Sequence, residues 1–269
     1  MDNAQELIWL WLGVASYAAG LLAIARRRKK PNVEQLTMWL VGAGVLMLTI
    51  AIGVRWRGVG HGPFLSMYEI LLSNLFSLGL ISTVVCWRVP LARKSLLGVT
   101  GVLTLLGVWA ISESPTPTVL PPTYDNYWLW IHVTFGKIFL GICLVSVGLA
   151  IACLLNKNRW LGMRQPAKLL QTDALVWRFL STAFVCHSLM LISGAVWAQD
   201  AWGRYWDWDP LETWAFITWL SIAVLLHLRI TYRIPSWVGW MGVVGVFVFA
   251  FFTFFGMPFI SLAPHKGAV

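Results

Sequence analysis

Long apolar runs, each close to the roughly 20 residues that a helix needs to cross a bilayer, recur along the whole chain. Of the 269 residues, 58% are hydrophobic and only 12% are charged, whereas a soluble domain usually carries about twice that charged share. Because backbone groups in lipid must be hydrogen-bonded internally, and the runs lack the alternation of barrel strands, they predict helices. The sequence therefore predicts an all-α, polytopic integral membrane bundle with about eight transmembrane helices and a single domain, residues 1–269. The candidate spans are 7–25, 34–54, 65–87, 95–111, 127–155, 175–198, 211–231 and 235–256.

Basic residues concentrate in alternate loops of this predicted bundle. These loops are 26–33, 88–94, 156–174 and the turn that carries Arg229 and Arg233. Cytoplasmic loops of membrane proteins carry an excess of lysine and arginine, so we expect this set on the cytoplasmic side. Both termini, the proline-rich loop 112–126 and the tryptophan-rich segment are then expected outside.

Composition also excludes several classes of function. The net charge of +9 does not indicate a nucleic-acid partner, because the basic residues form short clusters between apolar runs. The four cysteines contain no CxxC pair, so neither a thiol-redox motif nor a zinc site is expected, and we predict that they are buried. The first apolar run lacks a leading basic region, so we interpret it as a spanning helix and not as a signal peptide.

The segment 197–214 is predicted to form an external ligand-binding loop. Six of the 18 tryptophans fall within residues 197–219. Tryptophan at a helix end is ordinary at a membrane interface, but that explanation does not cover three tryptophans interleaved with aspartates inside a loop. Flat aromatic faces close together favour a platform for a large planar ligand. The candidate binding residues are Trp197, Trp202, Gly203, Arg204, Trp206, Trp208, Asp209, Glu212 and Trp214.

Several of these residues have a second interpretation. Asp209, Pro210 and Glu212 have the spacing of an N-cap, a first-turn proline and an N3 carboxylate, so they could simply start a helix. Gly203 could serve the turn alone. Arg204 could pair with an anionic group of the ligand or with a lipid phosphate.

Two of the five histidines are expected beside the tryptophan-rich segment. His132 begins the fifth span and His265 follows the eighth, so both can reach the outer face. Histidine is a usual axial ligand of haem iron. These two residues therefore predict a bis-histidine haem site over the tryptophan platform.

The other histidines are expected elsewhere. His227 lies 18 residues after Asp209, which is ~27 Å along a helix, so it would serve a second, inner haem site or simply end its helix beside Arg229. His187 falls in the middle of the sixth span, where a hydrogen bond between helices is the favoured interpretation. His61 is interpreted as a loop residue, with contact to substrate as the alternative.

These motifs resemble the CcsA/ResC family of cytochrome c assembly proteins, which belongs to the haem-handling superfamily named for its "WWD" motif. The most specific stretch is 202–214, which reads Trp-Gly-Arg-Tyr-Trp-Asp-Trp-Asp-Pro-Leu-Glu-Thr-Trp. It is preceded by Ser-Gly-Ala-Val-Trp-Ala at 193–198 and followed by Leu-His-Leu-Arg at 226–229. An upstream piece, Gly-His-Gly-Pro-Phe-Leu-Ser-Met-Tyr-Glu at 60–69, is similar to the entry to an early helix of that family.

The resemblance implies a role in cytochrome c assembly. Such proteins act with a CcsB/ResB-type membrane partner as a haem lyase, which exports haem b and attaches it to the CxxCH motif of an apocytochrome c. It implies outer iron ligands at His132 and His265, and an inner site at His227 whose second ligand comes from the partner. It also implies the plasma membrane of a bacterium or a thylakoid membrane, with contact to lipid. The alternatives are a haem transporter or chaperone that forms no thioethers, and a haem-binding structural subunit of a respiratory complex.

Overall fold

The computed structural model describes residues 2–26, 30, 32–157 and 166–257. Within these ranges the chain is helical and contains no strand, and eight helices are long and apolar enough to cross a membrane. The predicted all-α bundle with eight spans is thereby confirmed. The helices are α1 (Asp2–Arg26), α2 (Val33–Val59), α3 (Met67–Arg88), α4 (Leu96–Ser112), α5 (Tyr127–Lys157), α6 (Pro166–Trp202), α7 (Pro210–Thr231) and α8 (Ser236–Phe251).

Helix α5 lies at the centre of the bundle, where it packs against α3, α4, α6 and α8. Its inward side chains, among them Phe139, Leu140 and Leu144, are fully buried. The apolar runs of the sequence therefore differ in their surroundings, because α5 is enclosed by protein while α7 leaves most of its surface uncovered. Three of the four cysteines are buried and Cys186 is partly exposed.

The bundle has two chemically different ends. We call the end that carries residues 197–214 the Trp-rich end, and the opposite end the basic end. Helix α1 begins at the Trp-rich end, because Glu6 lies 3.9 Å from Arg55 in the last turns of α2. Helix α8 continues there as a π-helical turn, Phe252–Gly256.

The α2–α3 connection at the Trp-rich end is fixed by a buried ion pair. The Arg55 guanidinium donates to Glu69 Oε1 at 2.9 and 3.0 Å, and both side chains are almost completely buried. Glu69 also completes a capping box with Ser66 that starts α3. Arg55 further donates to the carbonyls of Pro115 and Thr116, so the same residue ties down the proline-rich loop.

Helix α6 is longer than the apolar run that predicted it. The run suggested residues 175–198, whereas the helix has 37 residues, or about 55 Å at 1.5 Å per residue. Its extension toward the basic end is anchored by Asp173, which accepts from Arg229 and from the Trp240 indole, both at 2.7 Å. The predicted span began after Asp173 because a charged residue interrupts the apolar run. In the structure Asp173 is paired, and the helix extends past it.

Candidate functional site

A cavity of ≈260 Å³ opens beneath the tryptophan-rich segment at the Trp-rich end. Its walls come from α3, α5, α6, the first turn of α7 and the π-helical turn after α8, and they are mostly apolar. Small-molecule sites usually measure roughly 300–1,000 Å³, so this cavity lies near the lower end of the range for ligand pockets. Four predicted site residues line the cavity: His132, Trp197, Trp206 and Glu212.

The orientation of His132 suits a metal ligand. Its Nδ1 lies 2.9 Å from the carbonyl oxygen of Met190 in α6. Because a carbonyl only accepts, Nδ1 carries the proton and Nε2 keeps the lone pair. Metal-binding histidines commonly donate their second ring nitrogen to a backbone carbonyl in this way, which fixes the ring and its tautomer.

Gly194 makes this position of His132 geometrically available. A Cβ at residue 194 would lie 2.6 Å from His132 Nδ1, closer than non-bonded atoms approach. The absence of a side chain therefore lets the imidazole rest directly on α6. Trp197, three residues further along α6, stacks on the same imidazole with ring centroids 6.0 Å apart.

Trp197 is buried and belongs to the wall of the site. Its indole Nε1 donates to the Thr123 carbonyl at 3.1 Å, and its ring meets Tyr124 edge-on at 5.3 Å. Burial raises the pKa of the Tyr124 phenol, so that group stays neutral. Trp202 packs edge-on against Trp197 at 4.9 Å, which joins the end of α6 to this aromatic wall.

The non-helical part of the tryptophan-rich segment is short. Helix α6 continues to Trp202 and α7 begins at Pro210, so only residues 203–209 lie between the helices. Gly203 ends α6 with φ +76°, in the left-handed region that glycine enters readily, and its N–H donates to the Gln199 carbonyl.

Within this short connection, two tryptophans face different surroundings. Trp206 lines the cavity, and its buried indole N–H has no hydrogen-bond partner among the described residues. Trp208 is 66% exposed and takes φ +58°, a strained value for a side chain of this size. The two rings meet edge-on at 5.7 Å, so Trp208 extends the aromatic surface beyond the cavity.

The charged residues of the segment are largely engaged with one another. Arg204 pairs with Asp207 at 2.7 Å on the surface. Asp209 caps α7 by accepting from the Glu212 N–H at 2.9 Å, as the helix-start interpretation predicted. Glu212 in turn accepts from the Asp207 N–H while its side chain lines the cavity. Trp214 lies against Phe252 after α8 at 4.9 Å and is not part of the cavity lining.

His227 lies near the basic end, on the exposed surface of α7. Its ring contacts Tyr232 edge-on, and its Nδ1 lies 3.4 Å from the Thr231 hydroxyl. Val224 and Leu220, one and two turns earlier on the same face, are 49% and 46% exposed. His227 therefore does not face the cavity that contains His132. His265 lies outside the described residues.

The two remaining histidines are buried. His187 stacks on Phe139 at 4.1 Å, and neither ring nitrogen has a hydrogen-bond partner in the described chain. The expectation of an interhelical hydrogen bond was therefore wrong, because an aromatic ring occupies the neighbouring position. The ring nitrogens of His61 lie 2.9 and 3.0 Å from the carbonyl oxygens of Gly62 and Thr118, so this residue anchors the proline-rich loop.

Sequence reasoning missed Lys137, which lines the cavity one turn beyond His132. The available signal was an isolated lysine inside an otherwise apolar span, since intramembrane charges commonly mark function. Gly194 was missed as well, because its role depends on how closely α5 and α6 approach. No group of three or more His, Cys, Asp or Glu that could hold a metal ion occurs among the described residues.

Comparisons with known proteins identify the family of the chain. The family model described as "Cytochrome C assembly protein" matches residues 64–262. "Cytochrome c biogenesis protein CcsA" of Chlamydomonas reinhardtii is 31% identical over 230 residues, which cover 82% of this chain and 62% of that protein. The protein of the same name from Synechococcus sp. (strain CC9902) is 28% identical over 310 residues, covering 99% of this chain and 98% of the relative.

A solved structure shares the fold. The chain matches "Cytochrome c Heme Lyase CcmF" with a TM-score of 0.69 at 16% identity, over 95% of this chain and 47% of that one. At this identity the likeness concerns architecture alone. The family match spans most of the chain and includes the cavity and the tryptophan-rich segment. The chain therefore belongs to the cytochrome c assembly protein family.

Proposed function

We propose that this chain delivers haem b to the Trp-rich end of the bundle and presents it there for covalent attachment to an apocytochrome c. The observation that carries this proposal is His132, whose Nδ1 is held by the Met190 carbonyl so that Nε2 is the ligating nitrogen in an aromatic cavity. His265 is proposed as the second axial ligand. The family to which the chain belongs supports the assembly role.

The attachment chemistry needs positioning more than acid–base catalysis. Each cysteine thiol of a CxxCH motif adds across a haem vinyl group: the S–H bond breaks, sulfur bonds to the vinyl carbon next to the ring, and hydrogen goes to the terminal carbon. The addition involves no net transfer of electrons. A rigid histidine ligand and a stacked aromatic wall would hold the vinyl groups in a fixed place for this reaction.

The Trp-rich end is proposed to face the outside of a plasma membrane or the lumen of a thylakoid. Arginine and lysine cluster in the loops of the other end, and such loops stay on the cytoplasmic side. The site would then lie on the side where c-type cytochromes acquire haem.

A CcsB/ResB-type membrane partner is proposed to cover His227. An ionisable side chain on a lipid-facing surface is unfavourable and usually has a function. His227 is exposed on α7 in line with the apolar residues Leu220 and Val224. A partner helix packed on this face could bury the apolar stripe and supply a second histidine to an inner haem.

Attachment is tested directly by reconstituting the chain with its membrane partner and haem, and adding a reduced CxxCH peptide. We expect a peptide that carries haem through denaturing electrophoresis, and none with a CxxCH peptide whose cysteines are replaced by serine. The absorption spectrum of the purified chain reports whether haem is bound at the start.

The outcomes separate the candidate functions. Bound haem without thioether formation, even with the partner, would contradict the lyase role and favour a haem transporter or chaperone. Bound haem that instead cycles between redox states with a respiratory complex would favour a structural electron-carrying subunit. A folded chain that binds no haem with or without the partner would refute all three.

A further inference from the structure

The deep wall of the cavity carries an ammonium group that the proposed function does not use. Lys137 lies on α5 and lines the cavity together with Ser73 and Asn74 of α3. Its Nζ donates to Ser73 Oγ at 2.8 Å, and Ser73 in turn donates to the Ile70 carbonyl. This set, Lys137 with Ser73 and Asn74, is called the polar floor below.

The polar floor is incomplete without a further group. One hydrogen bond leaves the ammonium with two more donors, and no carboxylate among the described residues lies within ion-pair distance of Lys137. The side-chain oxygen of Asn74 is also buried without a partner in the described chain, but it is an acceptor, so the preference for an anion comes from the ammonium alone. A charge inside a membrane span is costly unless it is paired. The polar floor therefore suits a ligand that brings a negative charge.

The position of Lys137 relative to His132 indicates which part of the ligand Lys137 would contact. Lys137 follows His132 by five residues, or about 7.5 Å along the helix axis, toward the middle of the bundle. His132 lies against α6 through Met190, while Lys137 lies against α3 through Ser73. The two side chains thus face the cavity from different sides and at different depths. Their separation along the helix axis is comparable with the distance from the centre of a porphyrin to its propionate carboxylates.

The chemistry of haem then predicts an orientation. Its two propionates leave one edge of the ring and its two vinyl groups lie toward the opposite edge. A propionate at the polar floor would direct the vinyl edge toward the Trp-rich end, where an incoming peptide can reach it.

We propose that Lys137 pairs with a haem propionate and thereby sets which edge of the ring is presented outward. This assignment rests on the proposed function, and it names the ligand group that the site recognises. Arg204 of the tryptophan-rich segment is exposed and already paired with Asp207. The polar floor therefore offers the stronger anion site, because its part-buried ammonium has no carboxylate within ion-pair distance among the described residues.

The test compares haem with its dimethyl ester, in which both propionates are uncharged. Dissociation constants for the two porphyrins are measured by absorbance titration on the full chain in lipid nanodiscs. We expect the wild type to prefer the free acid by roughly tenfold, as for a hydrogen bond to a charged group. K137M should lose this preference by weakening only the free acid, and K137R should keep most of it.

Controls distinguish this inference from the proposed function. K94M removes a lysine that pairs with Glu34 near the basic end and should retain the wild-type preference. The ester partitions more strongly into lipid, but this effect cancels when the ratio of the two dissociation constants is compared between variants. If K137M misfolds, K137Q replaces it. An equal affinity of the wild type for both porphyrins, or a K137M protein with an unchanged preference, would overturn the role of Lys137. Binding of neither porphyrin by the folded wild type would overturn the proposed function together with this inference.

Discussion

His132 and His227 lie at opposite ends of the bundle in opposite kinds of surroundings. His132 is held inside the protein by the Met190 carbonyl and the stacked Trp197 ring. His227 is exposed on α7, where it contacts Thr231 and Tyr232 of its own helix end. Under the proposed function, the chain would build most of the outer ligand site by itself and only half of the inner one.

The most direct test of this difference between the two histidines is to remove His132. H132A should weaken haem binding to the isolated chain by roughly 100-fold or more, because loss of an outer-shell partner alone already costs 10–100-fold at metal sites. Haem content is measured by absorbance after purification. Added imidazole should restore binding by filling the space of the lost ring. Unchanged haem content in a folded H132A protein would refute ligation by His132.

The next largest effect should come from the glycine that His132 rests on. G194A would place a Cβ 2.6 Å from His132 Nδ1 and displace the ring from the Met190 carbonyl. We expect haem affinity to fall by about 10- to 100-fold, the range for loss of an orienting partner. The control is G101A, since nothing lies within 4 Å of a Cβ at that helical position. Equal affinities for the two variants would show that the position of the ring is unimportant.

A smaller effect is expected at the exposed histidine when the chain is alone. H227A should change haem affinity of the isolated chain by less than about twofold, because the residue does not line the cavity and distant sites act independently. In the complex with the membrane partner, the same variant should lose one haem per complex, measured by a pyridine haemochrome assay. Loss of haem from the isolated H227A chain would contradict the separation of the two sites.

The smallest effect should be at the orphaned indole N–H of the cavity wall. W206F keeps an aromatic ring and removes a buried donor that has no partner among the described residues, so affinity should stay within about twofold. W206A should weaken binding several-fold, since aromatic contacts contribute about 0.5–1.5 kcal/mol each. A large loss in W206F would show that the ligand accepts a hydrogen bond from this indole.

The number and type of helices were predictable because lipid allows few alternatives. All eight apolar runs correspond to helices that could span a membrane. The helix boundaries were less predictable where a charged residue is paired inside the protein. Asp173 lies in the first turns of α6, where it accepts hydrogen bonds from two side chains of other helices. The start of α7 was read correctly at Asp209 because a capping pattern is local and visible in the sequence.

For the candidate site, the sequence predicted which types of residue form it and at which end of the bundle it lies, but not the contacts between its residues. His132 was singled out by its place at the start of a span, but its Met190 partner comes from another helix, 58 residues away. Gly194 and Lys137 acquire their meaning from the packing of α5 against α6 and α3, which no local pattern encodes. The surroundings of His187 also depend on a neighbouring helix, and here the prediction was wrong: the ring stacks on Phe139 in place of the expected hydrogen bond.

The buried pair of Arg55 and Glu69 has a consequence for how the protein enters the membrane. Glu69 at the start of α3 would be an uncompensated charge in lipid without Arg55 of α2, and unpaired charges within membrane spans are unfavourable. Because the two side chains neutralise each other across the α2–α3 turn, the hairpin should partition into the bilayer as one unit. Because Glu6 of α1 also lies 3.9 Å from Arg55, α2 meets one counter-charge from the helix made before it and a second from the helix made after it.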